Sequence, residues 1–249
     1  MSRAAPASDA AIASAGKWLS GYIAQSELPL HGLIFLLPAM VLFEVGQSFH
    51  PSDPIAFRLL QIFFHQTLTT GRFVPALSIV AILLTWHIVR KDPWQIRMET
   101  LWGMLIESIL LAVPLLALGI SVARWHIHIP LWGRSEIWEN NAILSLGAGI
   151  YEEFVFRLAL MTLLYIIAAD VFKLHKGLSN LLMVLFSAIL FSLYHYLGAE
   201  RFQLQSFVFR TVAGVYFGIL FLTRGFGITA GCHIFYDITV VTLQAIALH

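Results

Sequence analysis

Tyr151-Glu152-Glu153-Phe154-Val155-Phe156-Arg157 places three ionisable side chains inside an apolar run that reaches from Ala142 to about Ala168. Each such group costs roughly 2.5 to 3.5 kcal/mol at the centre of a membrane helix on insertion scales, so the run predicts partners and a task for them. Glu153 and Arg157 are four apart, share a helix face and can form a salt bridge. Glu152 lies about 100° around the same helix and is left free for other work. The expectation is a brace, Glu153–Arg157, beside a working carboxylate, Glu152.

The surrounding composition agrees with a membrane setting. Of 249 residues, 59% are hydrophobic and 12% charged, against about 25% charged in soluble domains, and the mean hydropathy is +0.80. The fold class expected is all-α, a polytopic bundle of about seven or eight spans. Net charge +1 gives no reason to expect nucleic acid, and the single Cys232 excludes a disulfide framework within one chain. Residues 1–29 are rich in Ala and Ser and lack an apolar core, so no cleavable signal is expected there, and the first apolar run serves as an uncleaved targeting helix.

Apolar runs of suitable length fall at roughly 30–47, 73–89, 101–122, 142–168, 178–198, 203–223 and 227–247. Ile55 to Thr69 is apolar but holds Arg58, Gln61, His65 and Gln66, and reads as an interfacial helix. The organisation expected is a single domain, with a tail over 1–29, accessory spans over 30–122 and a four-span core over 142–247. With seven spans, the side of the N-terminus carries Arg3, Lys17, Arg90, Lys91, Arg97, Lys173, Lys176 and Arg224, and the other carries Arg58, Arg72, Arg124, Arg134 and Arg201. Eight against five leans toward a cytoplasmic N-terminus, in a multi-pass protein of the plasma (inner) membrane. Glu44 and Glu107 are single acids that a neighbouring helix can satisfy. Trp125, Trp132 and Trp138 read as an interfacial belt.

Proton-handling residues gather in the last four spans. The fifth ends Phe191-Ser192-Leu193-Tyr194-His195, the sixth holds Gly214-x-x-x-Gly218, and the seventh carries His233 and Asp237 four apart on one face. The glycine pair gives a groove for close helix approach. One water-filled pocket shared by Glu152, His195, His233 and Asp237 accounts for all of these costly groups together.

Glu152-Glu153-x-x-x-Arg157, Phe191-x-x-x-His195 and His233-x-x-x-Asp237, in that order, resemble the motifs of the CAAX-protease and bacteriocin-processing family, intramembrane proteases related to the type II CAAX prenyl endopeptidase. The resemblance covers about residues 142–240. It implies that Glu152 and His195 hold and activate a water and that His233, with Asp237 beside it, faces the oxyanion, while Glu153–Arg157 keeps Glu152 in place. Asp237 stands where the prenyl endopeptidases typically carry Asn. An Asp donates a hydrogen bond only when protonated, so orientation of His233 is a second role open to it. The implied substrate is a membrane-anchored protein or peptide, in a setting of membrane lipid.

Glu152, His195 and His233, with Asp237, also make a reasonable donor set for zinc, although the compact His-Glu-x-x-His motif is absent. Glutamate-activated water without an obligatory metal is the preferred reading, and zinc the alternative. Two other classes stay open: an ion- or proton-coupled transporter and a non-catalytic membrane scaffold. Counting along the spans raises one difficulty. It sets His195 near one membrane boundary and His233 toward the other, roughly 15 Å apart in depth at 1.5 Å per residue. The proteolytic reading requires that Glu152, His195 and His233 nevertheless share one cavity.

Overall fold

The computed structural model describes residues 18–49, 53–67, 71–123, 138–198 and 200–247, and every element in them is helical. A short α1 covers 18–26. It is followed by α2 (Pro29–Phe49), α3 (Ile55–Thr67), α4 (Val74–Arg90) and α5 (Met98–Ala123). Then come α6 (Trp138–Val171), α7 (Lys176–Tyr194) with a closing 3₁₀ turn at His195–Leu197, and a final pair, α8 (204–224) and α9 (226–247). Trp125 and Trp132 of the expected aromatic belt lie outside the described residues. Trp138 is exposed, and its indole N–H donates to Thr242 Oγ1 at 3.1 Å.

Among the described residues five stretches are long and apolar enough to cross a membrane, and the last of them, Leu204–Ile246, contains a chain reversal. Gly225 has φ 76° and ψ −179°, a conformation that only glycine adopts without strain. Beyond it the chain folds back. Phe217 and His233, equally distant in sequence from Gly225, stack at 4.6 Å, and Phe209 meets Tyr236 at 6.3 Å. The final stretch is therefore long enough for two passes, and with the shorter α4 the described residues hold seven candidate passes, those of a multi-pass membrane protein. At 13 residues, α3 is shorter than the roughly 20 a pass requires.

The α8–α9 hairpin is the centre of the bundle, with α5, α6 and α7 packed most extensively on it. Lipid tails are as apolar as leucine, so close packing and polar pairing must hold such helices together. Gly214 supplies the packing on α7, where a Cβ would lie 2.9 Å from Ala188 Cα. The expected glycine groove is thus filled within one chain. Gly149 does the same between α6 and α9, where a Cβ would come within 2.8 Å of the Ile234 backbone nitrogen.

The isolated acids of the first half, Glu44 and Glu107, have polar partners on neighbouring elements. Tyr151 donates to Glu44 Oε1 at 3.0 Å, while Arg72 donates to the Glu44 carbonyl at 2.8 Å. Glu107 takes a forked pair of bonds from Arg224, from Nε at 2.6 Å and Nη2 at 2.8 Å, and a third from the Tyr22 hydroxyl. Arg224 Nη2 also donates to Ser26 Oγ at 2.8 Å. Both glutamates are therefore interhelical ties, and the Glu107–Arg224 tie pins the residue next to the Gly225 reversal to α1 and α5.

Candidate active site

Glu152 and Glu153 sit mid-course in α6 with 1% and 0% of their surface exposed, and Arg157 is wholly buried. The helix turns from α to π geometry immediately after them, over Phe154–Met161, a departure frequent at functional sites. The expected brace is present: Arg157 Nε lies 2.9 Å from Glu153 Oε2. Arg157 Nη1 donates to Ser187 Oγ at 3.2 Å, and the guanidinium carbon sits over the Phe191 ring at 4.9 Å.

Glu153 has a second contact that sequence spacing did not suggest. Its Oε1 accepts from His233 Nδ1 at 2.8 Å. A carboxylate paired with arginine only accepts, so Nδ1 of His233 carries a proton and the ring orientation is fixed. Nε2 is then turned toward Glu152 Oε2, 3.9 Å away, and Asp237 Oδ2, 3.5 Å away. The imidazole bridges the roughly 100° between two consecutive glutamates, one ring nitrogen toward each. Phe217 stacks on its face with 19° between planes. The shorter of the His233 contacts is the one to Glu153, and among the described residues Asp237 Oδ2 makes no hydrogen bond.

His195 reaches Glu152 from the other side. Its Nδ1 lies 2.7 Å from the Phe191 carbonyl, which can only accept, so that nitrogen holds the proton. Nε2 is left with its lone pair directed outward, 3.8 Å from Glu152 Oε2. Among the described residues Glu152 Oε2 itself has no hydrogen-bond partner. Its other oxygen accepts from the Tyr194 hydroxyl at 3.1 Å, and that hydroxyl accepts from the Ala56 amide at 2.7 Å.

The 15 Å separation counted for the two histidines is not found, since both Nε2 atoms lie within 4 Å of one carboxylate oxygen. Packing between helices, rather than helix length, is the reason. Glu152 and His195 each stand 19 residues from the turn that joins α6 to α7. Antiparallel packing brings them level. The reversal at Gly225 returns α9 beside them, and the Gly149–Ile234 approach lets His233 reach.

All six residues singled out in the sequence therefore lie in one cluster. Tyr194 and the Ala56 amide were missed. A tyrosine near the end of a span reads as an interfacial anchor, and a backbone N–H carries no sequence signal. Glu152, His195, His233 and Asp237 have the donor chemistry of a zinc site. As the side chains are placed, no three His, Cys, Asp or Glu among the described residues are grouped closely enough to hold a metal ion.

Residues 135–239 match the family model described as type II CAAX prenyl endopeptidase Rce1-like. No match was found among curated proteins or among solved structures. The matched stretch begins just before α6 and ends two residues past Asp237, so it contains every residue of the cluster except the Ala56 amide. Residues 135–239 of the chain are thus similar to the Rce1-like family.

Proposed function

We propose that the protein is an intramembrane endopeptidase that hydrolyses a peptide bond of a membrane-associated protein or peptide, with Glu152 and His195 activating the water. The observation that carries this reading is the unpartnered Glu152 Oε2, buried and faced by the Nε2 atoms of both histidines at 3.8 and 3.9 Å. Glu152 Oε2 and His195 Nε2 are both acceptors, so a group that satisfies them must donate twice, as water does. A water so held points an oxygen lone pair away from both. Attack on the scissile carbonyl forms the new C–O bond while Glu152 takes the water proton, and the same proton passes to the leaving amine as the C–N bond breaks. His233, doubly protonated with Nδ1–H on Glu153 and Nε2 facing the Glu152 and Asp237 carboxylates, donates Nε2–H to the oxyanion. Asp237 and the Glu153–Arg157 pair position these groups.

The Rce1-like match over 135–239 supports a membrane protease in general. Membrane lipid is its surrounding and a membrane-anchored peptide its substrate. The Lys and Arg count supports a cytoplasmic N-terminus in the plasma membrane. Zinc held by Glu152, His195 and His233 is the alternative use of the same atoms. It would supply a Lewis acid for the carbonyl.

The test is cleavage of membrane-anchored peptides by protein in liposomes, for wild type and Glu152→Gln, with and without a strong chelator. Loss of a general base costs about 10²- to 10⁴-fold. A loss of that size in Glu152→Gln, with chelator without effect, is the expected result. Activity lost to chelator and restored by zinc would move these residues into ligand roles. Ion flux without cleavage would replace the protease reading with transport, and full biological function of Glu152→Ala would replace it with a scaffold.

A further inference from the structure

Hydrogen-bond polarity makes the contacts of Tyr194 one-directional. An amide N–H only donates and a carboxylate only accepts, so the order is Ala56 N–H to Tyr194 O, then Tyr194 O–H to Glu152 Oε1, at 2.7 and 3.1 Å. The terminal torsion of a glutamate is broad and roughly two-fold rather than locked in a staggered well. Burial alone therefore leaves the direction of the two carboxylate oxygens loosely set. A bond to one oxygen removes that freedom and turns the other toward the histidines.

The surroundings hold the phenol in place. Tyr194 is 6% exposed. Its ring meets Phe156 edge-on at 5.0 Å and His195 at 4.9 Å. Ala56 lies in the first turn of α3, where helix amides have no partner within the helix. One hydroxyl therefore caps α3 and fixes a carboxylate two helices away.

We propose that Tyr194 is a positioning residue for Glu152, its hydroxyl, tied to the first turn of α3, holding the carboxylate so that Oε2 faces His195 and His233. The kinetic part of this inference rests on the proposed proteolysis, and the structural part does not. A purely structural Tyr194 would be a cap for α3 and nothing more.

Tyr194→Phe keeps the ring and removes only the hydroxyl. Infrared difference spectra between wild type and Glu152→Gln isolate the Glu152 carboxylate band without any substrate, and the same subtraction in the Tyr194→Phe background isolates it again. The expected result is a shifted band, together with a fall in kcat of about 10- to 100-fold, the loss of one hydrogen bond to a charged group, with KM within about twofold. An unshifted band would overturn the proposal whatever the activity. So would a shifted band with wild-type kcat, which would leave Tyr194 as a cap. Should wild type cleave nothing, proteolysis fails while the band still decides whether Tyr194 holds Glu152. If Tyr194→Phe does not fold, fluorotyrosine labelling reads the same bond from the other end. One ¹⁹F signal must then shift on Glu152→Gln, and a spectrum identical to wild type overturns the proposal.

Discussion

Replacing Arg157 with Met tests the brace and separates stability from chemistry. The side chain is fully buried and its Nε lies 2.9 Å from Glu153 Oε2. At that distance an effective dielectric of about 20 gives roughly 6 kcal/mol of Coulomb attraction, largely offset by the cost of taking both charges out of water. What a single substitution removes is the compensation, because Glu153 is left as a buried charge. Such breaks cost about 3 to 5 kcal/mol. Arg157→Met should therefore destabilise the protein by about that amount in reversible unfolding from mixed micelles. Pairing it with Glu153→Gln should recover a large part, since neither charge then remains. Recovery of stability should not restore cleavage, because Glu153 also fixes His233 Nδ1 at 2.8 Å. A double variant no more stable than Arg157→Met would refute the reasoning. So would a double variant with wild-type cleavage.

Two further outcomes follow from the packing and from the α1 contacts. Gly149→Ala sets a Cβ 2.8 Å from the Ile234 backbone nitrogen, where ordinary contact begins at 3.4 Å, so α9 must withdraw by some tenths of an ångström and lengthen the Glu153–His233 bond. Overpacking of this kind costs about 1 to 3 kcal/mol. Thermal unfolding and cleavage should both fall, whereas Gly21→Ala, which meets nothing within 4 Å, should leave both unchanged. Equal behaviour of the two variants would contradict the close approach. The Tyr22 phenol is pushed well above its ordinary 10.0, by burial first and then by the Glu107 carboxylate it donates to. A raised folded value means that its contribution is complete below about pH 10 and lost as pH climbs toward that value, the folded state holding the proton more tightly. The alkaline fall in unfolding temperature should be shallower in Tyr22→Phe, and an unchanged slope would count against the contact.

Local rules made a good part of this molecule legible. Helical spacing alone gave the Glu153–Arg157 pair, because partners four apart meet whatever the rest of the chain does. Apolar run length gave an all-helical bundle with several candidate passes, because a bilayer demands about 20 apolar residues and closes every other backbone option. The motif order located the cluster. Interfacial placement of α3 rested on its four polar residues, and its 13-residue length is in keeping with a helix too short to cross.

Other features depend on atoms far apart in sequence. Whether His195 and His233 could meet at Glu152 turned on the positive φ of Gly225 and on the missing Cβ of Gly149, neither of which an apolar count resolves. The second task of Glu153, on His233, arises because an imidazole has two nitrogens about as far apart as two neighbouring glutamates on a helix can reach. The link from Ala56 through Tyr194 to Glu152 joins residues 138 positions apart and then 42 apart. The sequence by itself determined the bundle and the brace, since periodicity and membrane thickness act within a single helix. Only the tertiary structure decided which oxygen of Glu152 is tied and which is free, because that depends on the amide of one helix meeting the hydroxyl of another.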